Sequence, residues 1–199
     1  SMADESGGTV AVRDTQLEAS GPAKRGGARA VAGLVVVGLG TLTAPLDSSV
    51  NIAFPAITRA FDAPLDMIQW LVICYVLTYS SLMLVFGKLG DLFGYRLIFG
   101  IGLLLSAVAY LLCAAAETFG ALLIFRAMQG MGTALVLSCG PAIATMLFPE
   151  SQRGRVLGVY TMMFGIGGAL GPSLGGLLIA EWGWAAVFWF RAPISAAAL

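Results

Sequence analysis

Asp47 and Arg126 are ionisable side chains set inside long apolar runs. Asp47 stands in Leu46-Asp47-Ser48-Ser49-Val50-Asn51-Ile52-Ala53-Phe54-Pro55, roughly 12 Å from the outer end of its helix at 1.5 Å per residue. Arg126 stands in Leu122-Leu123-Ile124-Phe125-Arg126-Ala127-Met128-Gln129-Gly130, roughly 10 Å from the outer end of another. A charge at such depth costs at least ~2.5 kcal/mol unless it is paired, hydrated or protonated. Similar depth makes each the natural partner of the other. A carboxylate that exchanges a guanidinium for a proton is the chemistry of proton coupling, and the sequence holds no histidine to share that work. The structural alternatives are an aspartate bonded to backbone near Pro55 and an arginine tying down helix-end carbonyls. Asn51, one helical turn after Asp47, is expected on the same face.

The elements that must position these groups are membrane spans. Hydrophobic residues make up 58% of the 199 and charged ones 11%, with a mean hydropathy of +0.88; soluble domains are roughly 45–50% apolar. With about 20 apolar residues needed to cross a bilayer, six spans are expected, near residues 31–56, 67–86, 97–116, 119–148, 156–180 and 185–199, the last of them cut short. Residues 1–29, rich in Gly, Ala, Ser and charge, are expected to be a disordered tail, with Ser1 an expression remnant before Met2. The fold class is therefore all-α membrane, a six-transmembrane-helix bundle over residues 30–199. Arg13, Lys24, Arg25, Arg29, Lys88, Arg96, Arg153 and Arg155 fall in one set of connections, whereas Arg59 is the lone basic residue of the other set. The positive-inside rule then puts the N-terminus in the cytoplasm. Eleven basic and eleven acidic residues cancel, so no basic excess points to nucleic acid. The spans carry no Ser/His, paired-Asp or His/Glu metal constellation, which argues against an enzyme. Cys74, Cys113 and Cys139 read as small apolar residues without metal-type spacing.

Two glycine-rich stretches frame the charged pair. Between spans 2 and 3, Gly87-Lys88-Leu89-Gly90-Asp91-Leu92-Phe93-Gly94-Tyr95-Arg96 places a carboxylate one turn after Gly87, where it can meet a helix N-terminus or an arginine of another connection, Arg153 or Arg155. In span 5, Gly167, Gly171 and Gly175 recur at four-residue steps beside Gly165, Gly168 and Gly176. Pro172 removes the backbone bond that Gly168 would accept, so a bent helix with a bare flank is expected. That flank either packs within the six helices or admits a helix from outside them.

These segments resemble the major facilitator superfamily. Gly87, Leu89, Asp91, Gly94 and Arg96 match its span 2–3 pattern, with Leu92 and Tyr95 where arginines are usual. The segment from Leu122 to Ala134 is similar to its span-4 pattern, and Gly167, Gly171, Pro172, Gly175 and Gly176 resemble the signature of its antiporters. The stretch from Leu46 to Pro55 resembles the span-1 motif of fourteen-span drug:proton antiporters, one residue shorter between Asp47 and Pro55. Trp182-Gly183-Trp184 through Phe188 to Arg191-Ala192-Pro193 is similar to the start of span 6, with Gly183 and Arg191 as departures. Arg191 is expected either to bind an anion or, by preference, to snorkel outward.

The resemblance implies the N-terminal half of a major facilitator fold and a multi-pass protein of the cell (inner) membrane. It implies a proton-coupled antiporter exporting small, lipophilic compounds by alternating access, with the proton as coupling ion and no other cofactor. Asp47 and Arg126 would couple the proton. Asn51, Tyr75, Tyr79, Gln129 and Thr133, polar or amphipathic within apolar spans, would line a central cavity between spans 1, 2, 4 and 5. Gly87, Asp91, Gly94, Arg96, Arg153 and Arg155 would form a cytoplasmic gate. The partners are the lipid bilayer, a small-molecule substrate, and either a missing C-terminal half or a second copy. A metabolite or organic-anion carrier and a non-transporting scaffold that homodimerises are the alternatives.

Overall fold

A computed structural model of the chain describes residues 22–199, with side chains described from Gly27 onward except that of Leu65. Helix α1 (Pro22–Leu42) leads through a short 3-10 turn (Pro45–Ser48) into α2 (Ser49–Phe61), and together they form the first apolar span. A one-turn helix, α3 (Leu65–Ile68), precedes α4 (Trp70–Phe93), α5 (Tyr95–Ala114) and α6 (Phe119–Met146). A second 3-10 turn (Glu150–Gln152) opens α7 (Arg153–Trp182), and α8 (Ala186–Trp189) and α9 (Arg191–Ala197) end the chain. Five spans among the described residues are long and apolar enough to cross a membrane. The sixth segment is present as α8 and α9, joined through Phe190, whose backbone is itself helical. Part of the expected tail, Pro22 to Arg29, is already helix: proline's fixed φ suits a first turn, and α1 extends the span outward. The rest of the tail, with Arg13, lies outside the described residues.

Span 4 is the hub. Helix α6 packs along α5 on one side and α4 on the other, and glycines set the approach. A Cβ on Gly132 would stand 2.9 Å from the backbone nitrogen of Ser106 in α5, and one on Gly130 would stand 2.8 Å from the carbonyl oxygen of Tyr75 in α4. Two apolar layers result. One gathers Leu34, Val37, Phe99, Leu103, Leu135 and Cys139; the other gathers Val50, Ile57, Leu71, Cys113, Leu122 and Phe188. Between them, in sequence on every long span that contributes, come the buried polar residues Thr41, Thr43, Asp47, Ser106, Arg126, Gln129 and Thr133.

Span 1 is broken where this polar layer begins. The hydroxyls of Thr41 and Thr43 donate to the carbonyls of Val37 (2.8 Å) and Gly40 (2.7 Å), and Pro45 brings no N–H to continue the ladder. The chain tightens to 3-10 geometry through Asp47 and resumes as α-helix at Ser49. The tighter winding changes which face later residues occupy. Asn51 is consequently exposed while Asp47 is nearly buried, contrary to the expectation that they share a face.

The glycines of span 5 pack on that break. A Cβ on Gly167 would lie 2.7 Å from Cγ of Pro45, and one on Gly175 would lie 3.0 Å from Cα of Ser49; Gly171 faces Leu46 and Ser48 between them. The flank expected either to stay within the six helices or to reach outside them therefore seats span 1, while Gly165 and Gly176 face open space. Replacing Gly175 with Val puts two further methyls against backbone that cannot swing aside, and should lower stability by about 1–3 kcal/mol. Gly176→Ala should raise it by up to ~1 kcal/mol through helix propensity. Thermal unfolding of the two variants in detergent checks the contrast.

Candidate functional site

The residues that the break and the hub bring together form one closed network. The Arg126 guanidinium grips Asp47 with both ends of its fork, Nη1 to Oδ1 at 2.7 Å and Nη2 to Oδ2 at 2.8 Å. Its Nε donates to the carbonyl of Leu71 in α4 at 2.8 Å, and Nη1 also donates to Oε1 of Gln129 at 2.8 Å. Gln129, one turn further along α6, returns a bond from Nε2 to Asp47 Oδ1 at 2.9 Å. Such bidentate, charge-assisted bonds are about twice as strong as neutral ones and fix orientation as well as distance. Tyr75 stacks under Arg126, 4.4 Å from Cζ to the ring centroid, and Tyr79 lies beside Tyr75 at 5.2 Å.

Arg191 joins the same carboxylate. It is fully buried, donates from Nη1 to Asp47 Oδ1 at 2.6 Å, and ties its Nε to the carbonyl of Val187 at 3.0 Å. The expectation of an outward-snorkelling side chain fails because α8 turns the polypeptide inward: Ala186, Val187 and Phe188 are wholly buried, which leaves the next turn facing the polar layer. The rings of Tyr110 and Phe188 lie 4.7 Å and 5.6 Å from its Cζ. Two cations thus share one anion in a layer walled off on both sides by hydrocarbon.

Ser48 extends the network into span 5. Pro172 has no N–H, so the carbonyl of Gly168 is free of its helical partner, and the Ser48 hydroxyl donates to it at 3.2 Å. The residue beside Asp47 is thereby fastened to the proline bend of α7.

Of the residues expected to line a cavity, Tyr75, Gln129 and Thr133 are buried at or near this network, Tyr79 is half-buried, and Asn51 points elsewhere. A groove of about 700 Å³ opens instead between Arg29, Val36, Arg96, Phe99, Ile143 and Leu199, away from Asp47. Ser48 and the role of Pro45 escaped the sequence reading. Thr-Leu-Thr-Ala-Pro was the available signal, because two hydroxyls that can turn back on the helix ahead of a proline mark an interruption.

In this structure Asp91, within the segment from Gly87 to Arg96, is not paired with an arginine. Helix α4 continues through Gly87 and Asp91 to Phe93, and only Gly94, at φ +96°, departs from the helix. Asp91 accepts the hydroxyl of Tyr95 across that one-residue corner. Arg153 bonds Glu150 on its own connection at 2.9 Å, and Arg155 is exposed. The expected pairing of Asp91 with either arginine is absent because spans 2 and 5 make no extended contact; span 4 lies against both.

Removing Arg126 strands Asp47 against a single arginine and leaves the Leu71 carbonyl and Gln129 Oε1 short of a donor. Arg126→Leu should cost about 3–5 kcal/mol, the range for breaking a buried pair. Denaturation in detergent, with Arg59→Gln as the exposed comparison, measures it.

Residues 33–199 match the family model of the Major Facilitator Superfamily. The riboflavin transporter RibZ of Clostridioides difficile (strain 630) is 32% identical over 162 residues, which cover 81% of this chain and 36% of that protein. The multidrug resistance protein Stp of Mycobacterium tuberculosis (strain CDC 1551 / Oshkosh) is 35% identical over 168 residues, 83% of this chain and 31% of Stp. The methylenomycin A resistance protein of Bacillus subtilis (strain 168) is 37% identical over 168 residues, 83% of this chain and 36% of its own. The chain thus spans about a third of the length of these relatives. Among solved structures, a bacterial homologue of the human lysosomal transporter Spinster, inward-facing and unoccupied, superposes with a TM-score of 0.70 at 19% identity, covering 89% of this chain and 43% of that one. The helical architecture matches that fold, and by its sequence this multi-pass chain of membrane-spanning helices belongs to the Major Facilitator Superfamily.

Proposed function

We propose that the chain forms one six-helix half of a proton-coupled antiporter that exports small, lipophilic compounds by alternating access. The observation that carries the reading is the set of four N–H bonds converging on the two oxygens of Asp47. An ionised carboxylate accepts all of them; a protonated one turns one oxygen into a donor and loses acceptor sites. The proton and the Arg126 fork therefore compete for the same atoms. Asp47 sits in a 3-10 turn whose neighbours rest on Gly167, Gly171 and Gly175, and Ser48 is bonded to the proline bend of span 5. A change at the carboxylate thus has a short mechanical route to α7. An exposed apolar surface along α4 and α7, including Leu77, Leu84, Leu170 and Leu177, suits contact with lipid or with a complementary half, either a C-terminal six-helix half or a second copy.

The orientation is part of the proposal. Arg29 and Arg96 border one groove, and Arg155 borders another beside Val31 and Leu34, so these basic residues gather at one end of the bundle. We place that end, with the N-terminus, in the cytoplasm of a cell whose plasma membrane holds the protein.

In proteoliposomes containing the transporter, an imposed pH gradient should drive uptake of a lipophilic substrate, and Asp47→Asn should abolish the driven flux while leaving the particle's size and helicity unchanged. Undiminished driven flux in Asp47→Asn removes Asp47 from coupling, and absence of flux in the unsubstituted protein favours a scaffold. Ser48→Ala should retain substrate binding but slow driven flux several-fold, which stopped-flow fluorescence of a pH dye inside the vesicles would record. Native mass spectrometry separates a second copy from a distinct half.

A further inference from the structure

The polar layer carries more positive charge than the fold neutralises. Among the described residues the buried charged side chains are Asp47, Arg126 and Arg191, two cations to one anion. The acids Asp62, Asp66, Asp91, Glu117, Glu150 and Glu181 are all exposed. The guanidiniums are not equivalent. Arg126 commits all three of its nitrogens to protein acceptors, whereas Nη2 of Arg191 is buried and has none. The ring of Tyr110 stacks on Arg191, and its hydroxyl is also buried without a partner. An isolated cation held out of water is expensive, by several kcal/mol, unless an anion or further hydrogen bonds compensate it. A donor-only guanidinium nitrogen without an acceptor, on a guanidinium stacked over a tyrosine ring, asks for one, and the surplus charge asks that it be negative.

We propose that Arg191, with Tyr110, forms a binding site for a monovalent anion, either halide or carboxylate, next to the Asp47–Arg126 pair. Asp47 is the member of the trio that keeps any surface, its side chain about 10% exposed, so the anion reaches Arg191 past Asp47. Taking up a proton on Asp47 withdraws the negative charge that guards this route and frees Nη1 of Arg191 to turn toward the incoming ligand. The site narrows the transporter reading to cargo bearing a negative charge. It rests on that reading only for the claim that the anion is cargo, because binding can be measured without a gradient.

The test is equilibrium titration of the purified 199-residue chain in detergent with sodium benzoate and, separately, sodium chloride, against a background of sodium gluconate. Tryptophan fluorescence from Trp184 and Trp189 and calorimetry read the binding. We expect saturable binding of at least one anion, retained in Arg191→Lys and Arg59→Gln, and weakened at least tenfold in Arg191→Asn. Benzoate binding without chloride identifies an organic acid as the ligand class; chloride alone identifies a halide. Failure of the folded unsubstituted chain to bind either, or equal binding by Arg191→Asn, overturns the proposal. If Arg191→Asn does not fold, Tyr110→Phe decides instead: binding weakened several-fold upholds the site, and unchanged binding overturns it.

Discussion

The arrangement depends on keeping one carboxylate solvated by the protein alone. Asp47 has almost no contact with solvent, yet its two oxygens receive bonds from Arg126, Gln129 and Arg191, side chains on two elements other than its own. An ionised group in an apolar surround persists only if such donors replace water. Each donor is in turn held elsewhere, Arg126 by the Leu71 carbonyl of span 2 and Arg191 by the Val187 carbonyl of the sixth segment. Spans 1, 2, 4 and 6 are thereby tied at one depth, with apolar layers above and below it.

Span 5 contributes no charge to this point and still governs it. Its three spaced glycines accept the break in span 1 at backbone distance, and the carbonyl released by Pro172 receives Ser48. Small residues permit close approach between helices in lipid, where no hydrophobic force draws helices together and packing and hydrogen bonds must do so. The same three glycines also explain why the break cannot relax into a straight helix without pushing α7 away.

Much of this was legible in the sequence for a physical reason: intramembrane charges have few ways to be satisfied. Asp47 and Arg126 at matching depth had to meet, and the structure joins them through a fork. Gly130, one turn after Arg126 in the span-4 segment, is where that helix meets span 2 at backbone distance. What stayed hidden came from local winding and from inter-element direction. Counting residues along an unbroken helix put Asn51 beside Asp47, but a few residues of 3-10 geometry moved it to the surface. Arg191 could be seen as buried or snorkelling from its own segment; the inward turn of α8 decided it, and that turn depends on packing of α8 against spans 1, 3 and 5. Asp91 could be recognised as a corner residue, but its partner was chosen by proximity to Tyr95, four residues on, over arginines that the fold holds apart.

The central claim is that Asp47 alternates between a carboxylate gripped by arginine and a neutral acid. Infrared difference spectroscopy of the transporter in lipid, across an acid step, observes that change on the carboxyl group itself. The account predicts a protonated-carboxyl band that grows over the pH range in which a gradient drives flux and that is missing from Asp47→Asn. A difference spectrum identical in the two proteins, with driven flux intact in the unsubstituted one, would contradict it.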